Sequence, residues 1–493
     1  MGLKIERRVE RVNGKDLSYT QFVEQYLVQN QPVILTGLME DWRACKDWIL
    51  EDGKPNLQFF STHFGNSKVQ VADCGARECM EQKRLEMSVS EFIEKWVQLS
   101  SSRESICSEV SDDKSLLYLK DWHFVKEYPE YCAYRTPFFF CDDWLNMYLD
   151  KYDMHTDPDS YQKKNEISCS DYRFVYMGPK GTWTPLHADV FRSYSWSANV
   201  CGKKQWFFLS PSQHHLVFDR YMTNAVYDIF EDVSETKFPG FKEAIWWECT
   251  QEQNEIIFVP SGWYHQVHNQ EDTISINHNW FNAYNLSWVW DILLTDYKQA
   301  RDLLEDIKEI CDDFEGLCQR NLAANTGMNF RDFLVFMMRF AFANLFQFHH
   351  LGRSGKNPPF WSSQIAQHIV FNLQSIQSIA LKMKSVGVCT HHAFSLKPSK
   401  ILEDHSFMEL FTTLKKNYGM MHGPFEIVYE EKMGLCSDMN AIFCDFTNPS
   451  IGSSEDLVQL IDFAFEKLGF VASKSLPSQK TRYNPEEQLM CRD

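Results

Sequence analysis

Residues 182–211 read TWTPLHADVFRSYSWSANVCGKKQWFFLSP, and the rest of the chain is understood from this run outward. A Thr-Trp-Thr-Pro turn leads into His187-Ala188-Asp189, and Lys204 follows on KKQWFFL, an aromatic-rich run that reads as a strand. Further on, EIIFVPSGWYH (255–265) is a second apolar run, closed by Trp263, Tyr264 and His265. His187 and Asp189 are two positions apart, so an extended backbone points both the same way, whereas His265 must arrive from another strand. Two imidazoles and one carboxylate form the donor set of a non-haem Fe(II) centre, which holds the metal and leaves positions open for oxygen and a cosubstrate. A lone His-x-Asp pair is a weak signal among 16 histidines, and a satisfied core histidine is its ordinary reading. The flanking turn, the strand lysine and the distant aromatic-His corner reverse that reading.

Alternation along KKQWFFL puts Lys204, Trp206 and Phe208 on one face and Lys203, Gln205 and Phe207 on the other. Periodicity alone does not decide which lysine faces inward. An inward ammonium among aromatics calls for an anion, and a carboxylate of a dicarboxylic cosubstrate would serve.

Around this centre the pattern is β-like. Tyr172, Phe174 and Tyr176 alternate with Arg173, Val175 and Met177, and EIIFVP and TISINHNWF read as further strands. The segment 211–250 reads as looser and partly helical. These signals predict an antiparallel barrel or sandwich. Upstream, SYTQFVEQYLVQ (18–29) has helical spacing, Pro32–Leu35 reads as a short buried strand ended by Gly37, and Ser88 with Glu91 forms a capping box for a helix. The Ser-rich stretch 99–115 reads as an exposed insertion, and 116–122 as a strand. After Asn285 apolar residues recur at three- and four-residue spacing, predicting an all-helical C-terminal region, and the polar end is expected to be disordered.

Composition narrows the function classes. The balance of 49 basic against 67 acidic residues gives −18, which disfavours direct nucleic-acid binding. An acidic surface suits a basic protein substrate, although it is equally a solubility feature. The 15 cysteines include no Cys-x-x-Cys pair, which argues against a zinc-finger module. The first residues lack the apolar core of a secretory signal, Glu6 stands where a myristoylation start has Ser or Thr, and no apolar run reaches membrane-span length. The expectation is a soluble cytoplasmic or nuclear protein with reduced thiols and no membrane association.

The run Tyr172–Phe281 resembles the JmjC domain of 2-oxoglutarate- and Fe(II)-dependent oxygenases. Within it, WTPLHADVFRSYSWSANVCGKKQW and FVPSGWYHQVHNQEDTISINHNW are similar to JmjC hydroxylases acting on a lysine of the eukaryotic class-one translation release factor. LYLKDWHF (117–124) and DDWLNMYL (142–149) extend the likeness. The resemblance implies a mainly β catalytic core, a double-stranded β-helix of cupin or jelly-roll type, with flanking helices and an α-helical C-terminal region. The domains expected are a helical/β flank at 1–115, the barrel at 116–284, the helical region at 285–470 and a tail at 471–493.

It further implies that His187, Asp189 and His265 ligate Fe(II) and that Lys204 binds the distal carboxylate of 2-oxoglutarate. Thr184 and Tyr118 fall where related hydroxylases place hydroxyls on that carboxylate. Asn277 falls at a pocket position held by Thr in a sister family, and Ser197 replaces an Asn found in some relatives. His268 and His278 are set aside as ligands. The reaction implied consumes O2 and 2-oxoglutarate, releases succinate and CO2, and hydroxylates a protein side chain. A release-factor lysine is the first expectation for the substrate. N-methyl demethylation of histone lysine or arginine is the alternative, although no Cys/His-rich reader module or basic tail accompanies it. A non-catalytic cupin-like scaffold is a third reading, and it leaves Lys204 and Thr184 without a purpose. The C-terminal helices suggest a homodimer.

Overall fold

Fourteen strands carry the β part of this computed structural model, which describes residues 2–104, 116–154, 169–353, 363–387, 396–422 and 450–467. The expected tail at 471–493 lies outside the described residues, as does 105–115 of the Ser-rich stretch. In chain order the strands are β1 Lys4–Arg8, β2 Glu10–Asn13, β3 Val33–Thr36, β4 Lys68–Glu78, β5 Glu81–Ser88, β6 Leu117–Trp122 and β7 Arg173–Gly178. They continue as β8 Trp183–His187, β9 Tyr194–Cys201, β10 Lys204–Leu209, β11 Ile245–Gln251, β12 Glu255–Val259, β13 Tyr264–Asn269 and β14 Thr273–Trp280.

They form two sheets, one ordered β1-β11-β10-β13-β8 and the other β2-β3-β12-β9-β14-β7-β6-β4-β5. The consecutive strands β8, β9, β10 alternate between the sheets, as do β11 to β14, which is the double-stranded β-helix expected from the resemblance. Trp206, Phe208 and Val267 of the first sheet pack with Ile34, Ile257 and Val259 of the second, so the sheets face each other across an apolar core. The outer face of the first sheet is covered too: Leu186, Phe207, Leu209 and Trp246 pack against Val217, Val226, Ile229 and Phe238 of the loose segment.

Several expectations need correcting. The barrel is not purely antiparallel: β1 pairs with β11 and β2 with β3 in parallel. These two short N-terminal strands are mostly exposed and carry no apolar alternation, so their pairing partners, not their own pattern, place them. The long hairpin β4–β5 was not expected from the sequence, because it is a polar sheet edge with few buried residues. Ile245–Gln251, inside the segment read as loose, is the strand β11. Residues 99–104 continue a helix, Val89–Glu104, in which Ser100 and Ser101 bond back to the carbonyls of Trp96 and Val97. That helix has the expected capping box between Ser88 and Glu91. The helix expected at 18–29 is capped by Ser18 and widens into a π-helical turn at Val23–Leu27.

The chain divides into two compact units, one built from residues 1–137 with 172–279 and the other from 138–171 with 280–479. The second unit is helical. Its described helices include Trp144–Leu149, Leu286–Leu304, Phe330–Arg353, Gln364–Val386 and His405–His422. A barrel running unbroken from 116 to 284 therefore differs from the observed division. Trp144 stacks on Phe340 at 4.6 Å and Tyr148 accepts a 2.6 Å hydrogen bond from Arg339, which ties the Trp144–Leu149 helix to Phe330–Arg353. Among the described residues no helix is long and apolar enough to cross a membrane.

Gly202 carries the chain from β9 in one sheet to β10 in the other within two residues. Its φ is +75°, and an added Cβ would stand 2.1 Å from the carbonyl oxygen of Asp272. Gly202→Ala is expected to lower unfolding free energy by about 1–3 kcal/mol, read as a reduced urea midpoint, because strain and backbone overlap act together.

Candidate active site

Where the two sheets face each other, the ends of β8 and β13 and the turn after β8 bring three side chains together. One ligand-type atom from each of His187, Asp189 and His265 lies within 4.8 Å of the others, and no other such group occurs among the described residues. His187 and His265 are register partners on β8 and β13, so they emerge on the same face, with ring centroids 4.3 Å apart. Trp206 and Phe208 of β10 line the same face, their rings 5.7 and 5.8 Å from that of His265.

The local backbone orients both imidazoles. His187 Nδ1 lies 2.8 Å from the carbonyl of Pro185 and His265 Nδ1 lies 3.1 Å from the carbonyl of Trp263, in each case two residues upstream. A carbonyl only accepts, so each Nδ1 carries the proton and each Nε2 keeps its lone pair for a metal. Burial, followed by the neighbouring His265, holds His187 well below its usual pKa, which favours the neutral, ligating form. Asp189 Oδ2 accepts a 2.7 Å hydrogen bond from Ser195 on β9. Ser195→Ala is expected to weaken iron binding by about 10–100-fold, as removal of such outer partners does, and an iron titration checks it.

Deeper in the barrel Lys204 is the inward lysine, 2% exposed, whereas Lys203 faces outward toward Glu252 and Glu271. Lys204 Nζ donates to Ser275 Oγ at 2.7 Å and to Tyr118 Oη at 3.4 Å. Asn277 Nδ2 in turn donates to Ser275 Oγ at 3.2 Å. Tyr118, Lys204, Ser275 and Asn277 thus form one chain of neutral partners around an ammonium. Burial, and then the charge of Lys120, pushes Lys204 down to about 7, while burial raises Tyr118.

Thr184 sits three residues before His187, a spacing that puts the two on opposite faces of a regular strand. A bulge resolves this. Thr184 pairs with Val267 and His187 with His265, so two residues of β8, Pro185 and Leu186, stand opposite one of β13. Thr184 and His187 therefore share the inward face, and Leu186 turns outward into the covering core.

The donor set fits a metal and a dicarboxylate. Two lone pairs and a carboxylate converge, and among the described residues the ammonium below them has only neutral partners and the buried hydroxyl of Ser197 has no hydrogen-bond partner. The two histidines set aside from the ligand set are engaged elsewhere. His268 stacks on Trp183 at 5.6 Å, and His278 bonds Tyr134 at 2.5 Å. Sequence reasoning missed Ser275 and Ser195. Ser275 is two positions from Asn277 on one strand face, which is the only sequence signal for it. Nothing in the sequence pairs Ser195 with Asp189.

Comparison with known proteins places these residues in context. A family model described as a cupin-like domain matches residues 19–285. The arginine-specific demethylase JMJ20 of Arabidopsis thaliana is 56% identical over 462 residues, covering 94% of this chain and 97% of that protein. The 2-oxoglutarate and iron-dependent oxygenase JMJD4 of Danio rerio is 37% identical over 405 residues, covering 79% and 90%. The protein of that name in Homo sapiens is 35% identical over 324 residues, covering 65% and 72%.

Proposed function

This chain belongs to the cupin-like JmjC family of 2-oxoglutarate- and iron-dependent oxygenases, and we propose that it hydroxylates a lysine side chain of the class-one translation release factor. The convergence of His187, Asp189 and His265 above a buried, acid-free Lys204 supports the oxygenase chemistry. The choice of substrate rests on the motifs around His187 and His265. Iron and 2-oxoglutarate, when bound, supply the dioxygen chemistry that splits the cosubstrate into succinate and CO2 and oxidises a C–H bond.

In this reading the chain's own groups bind, orient and exclude water. The carbonyls of Pro185 and Trp263 fix the imidazole tautomers, and Ser195 fixes the Asp189 carboxylate. Lys204, Tyr118 and Thr184 take the distal carboxylate, while Ser275 and Asn277 hold the ammonium in place. Trp206, Phe208 and Val267 keep the floor dry, which strengthens each of these polar contacts.

Arginine demethylation is the second reading, favoured by the 56% identity to a relative named for that activity. Both reactions begin with oxidation of a C–H bond, so the site residues serve either. Mass spectrometry separates them after the enzyme, iron and 2-oxoglutarate are incubated with release factor and, in parallel, with methylarginine peptides. A lysine gaining one oxygen supports the first reading. Loss of methyl groups with the release factor unchanged overturns it in favour of the second.

Lys204 also gives cosubstrate binding a pH dependence. Its pKa in the folded chain is about 7 against an ordinary 10.5, so between those values the unfolded chain holds more protons. Stability without ligand therefore gains from this group as pH rises through that window. A bound carboxylate needs the ammonium form, so the contribution of 2-oxoglutarate runs the opposite way. The thermal upshift produced by 2-oxoglutarate on metal-loaded protein is expected to be larger near about pH 6.5 than near about pH 8.5. An equal or larger upshift at the higher pH contradicts this.

A further inference from the structure

A cavity of about 520 Å³ lies against β6 and the β4–β5 hairpin, and the mechanism leaves its lining residues unused. Strands β6, β4 and β5 continue the second sheet past β7. Tyr118 of β6 stands opposite Ala72 of β4, and Ala72 opposite Arg84 of β5, so all three share a face. Lys68 joins that face by alternation along β4. On the same face Lys120 donates to Gln82 Oε1 at 2.8 Å, which ties the hairpin to β6. Positive φ at Asp121, at a break in register with β7, brings its carboxylate to this side as well. There its Oδ1 accepts from the Tyr176 hydroxyl at 2.5 Å and its Oδ2 from Arg84 at 2.8 Å.

The acceptors in this lining are used and the donors are not. Both oxygens of Asp121 are engaged, and those of Glu127 accept from Ser67 at 2.6 Å and from the Trp122 indole at 2.8 Å. Arg84 commits one nitrogen to Asp121 and its side chain is 39% exposed, which leaves further guanidinium donors on the cavity wall. Lys126 adds a third cation, and among the described residues the Lys68 ammonium holds no hydrogen bond or ion pair. Three cations beside two occupied carboxylates reverse the −18 balance of the chain, and such a wall suits an anion. A row of rings joins the cavity to the metal site. The lining residue His123 meets Phe174 at 5.1 Å, Phe174 meets Tyr172 at 6.3 Å, and Tyr172 meets Phe191, two residues after Asp189, at 5.4 Å. Phe174 and Tyr176 stand opposite Asn277 and Ser275, so they share the inward face of the barrel. An extended peptide advances about 3.5 Å per residue, so a few residues cover this row.

We propose that this cavity is a docking subsite for an Asp or Glu of the protein substrate, a few residues along its chain from the side chain that is oxidised. Arg84, held by Asp121 and Tyr176, takes the carboxylate together with Lys68. Tyr176 links the subsite to the wall of the cosubstrate pocket, where its ring meets that of Tyr118 at 5.9 Å. The inference rests on the protein-oxygenase reading above, and it adds a flank preference that serves a lysine or a methylarginine target alike.

The test is anaerobic fluorescence-anisotropy binding to the full chain loaded with Mn(II) and 2-oxoglutarate. The probes are labelled peptides centred on lysine or on methylarginine, with flanks of Glu, Gln or Lys. Glu-flanked peptides are expected to bind about three- to tenfold more tightly than Gln-flanked ones, the size of part-exposed charge-assisted contacts, and the advantage shrinks at high salt. Lys68→Glu is expected to remove or reverse it with 2-oxoglutarate binding unchanged, and Arg84→Gln to reduce it. Where Arg84→Gln does not fold, Lys68→Glu decides alone. Equal affinity for Glu and Gln flanks in the wild-type chain overturns the proposal. A Glu preference that survives undiminished in either variant overturns it too, and so does a failure to bind any of the peptides. Incubating the same peptides with the iron-loaded chain and oxygen reads the oxygenase function separately. Peptides bound with a Glu preference but never oxidised contradict that reading and leave the subsite standing, whereas oxidation without a flank preference does the reverse.

Discussion

His265→Ala is expected to abolish metal retention and cosubstrate turnover together, with a fall in 2-oxoglutarate decarboxylation on the order of a thousandfold or more, equivalent to several kcal/mol of lost transition-state stabilisation. The size follows from position. His265 is 3% exposed, it is the register partner of His187, and its Nδ1 is committed to the carbonyl of Trp263. Alanine removes one of three converging donors and leaves a gap against the rings of Trp206 and Phe208. His268 and His278 do not substitute, because one stacks on Trp183 and the other bonds Tyr134. Iron binding measured alongside turnover separates this from misfolding. A variant that keeps its thermal transition but loses stoichiometric iron meets the expectation, and one that keeps wild-type turnover refutes the ligand assignment.

Lys204→Met is expected to raise the KM for 2-oxoglutarate by roughly ten- to a hundredfold while the folded state is kept or strengthened. The first effect is the loss of a charge-assisted hydrogen bond in a buried site, about 1.5–3 kcal/mol. The second follows from the ligand-free chain, in which Lys204 is a buried ammonium with only hydroxyl partners, so an apolar isostere relieves a desolvation cost. Opposite signs for stability and affinity mark a residue kept for a ligand, and a purely structural lysine moves both downward. Urea unfolding and KM determination on the same preparation check the pair of signs.

How much of this was legible in the sequence differs from residue to residue. The triad was readable because His187 and Asp189 stand two positions apart, which on extended backbone points both the same way, and His265 closes an apolar run at an aromatic corner. The inward direction of Lys204 was not, since KKQWFFL offers two lysines of opposite facing, and the corner at Gly202 chooses between them. Thr184 faces inward only through the bulge at Pro185–Leu186, which spacing alone predicts against. Ser195, Ser275 and Gln82 meet their partners across strands, and strand pairing is a long-range outcome that no local window contains. The hairpin β4–β5 escaped for a different reason. It is a polar edge with little apolar alternation, yet it supplies Gln82 to the barrel interior. Residues 138–171 lie between barrel segments in sequence but belong with the helices, because Trp144 and Tyr148 pack on Phe340, Phe336 and Arg339.

Incorporation of isotopically heavy dioxygen is the most direct measurement of the central claim, that His187, Asp189, His265 and Lys204 form a 2-oxoglutarate oxygenase site. The chain is incubated with iron, 2-oxoglutarate, release factor and labelled O2, and succinate and tryptic peptides are analysed by mass. One labelled oxygen in succinate and one on a lysine side chain, both lost in His187→Ala, is the predicted result. Succinate without label, or label that persists in His187→Ala, would contradict it.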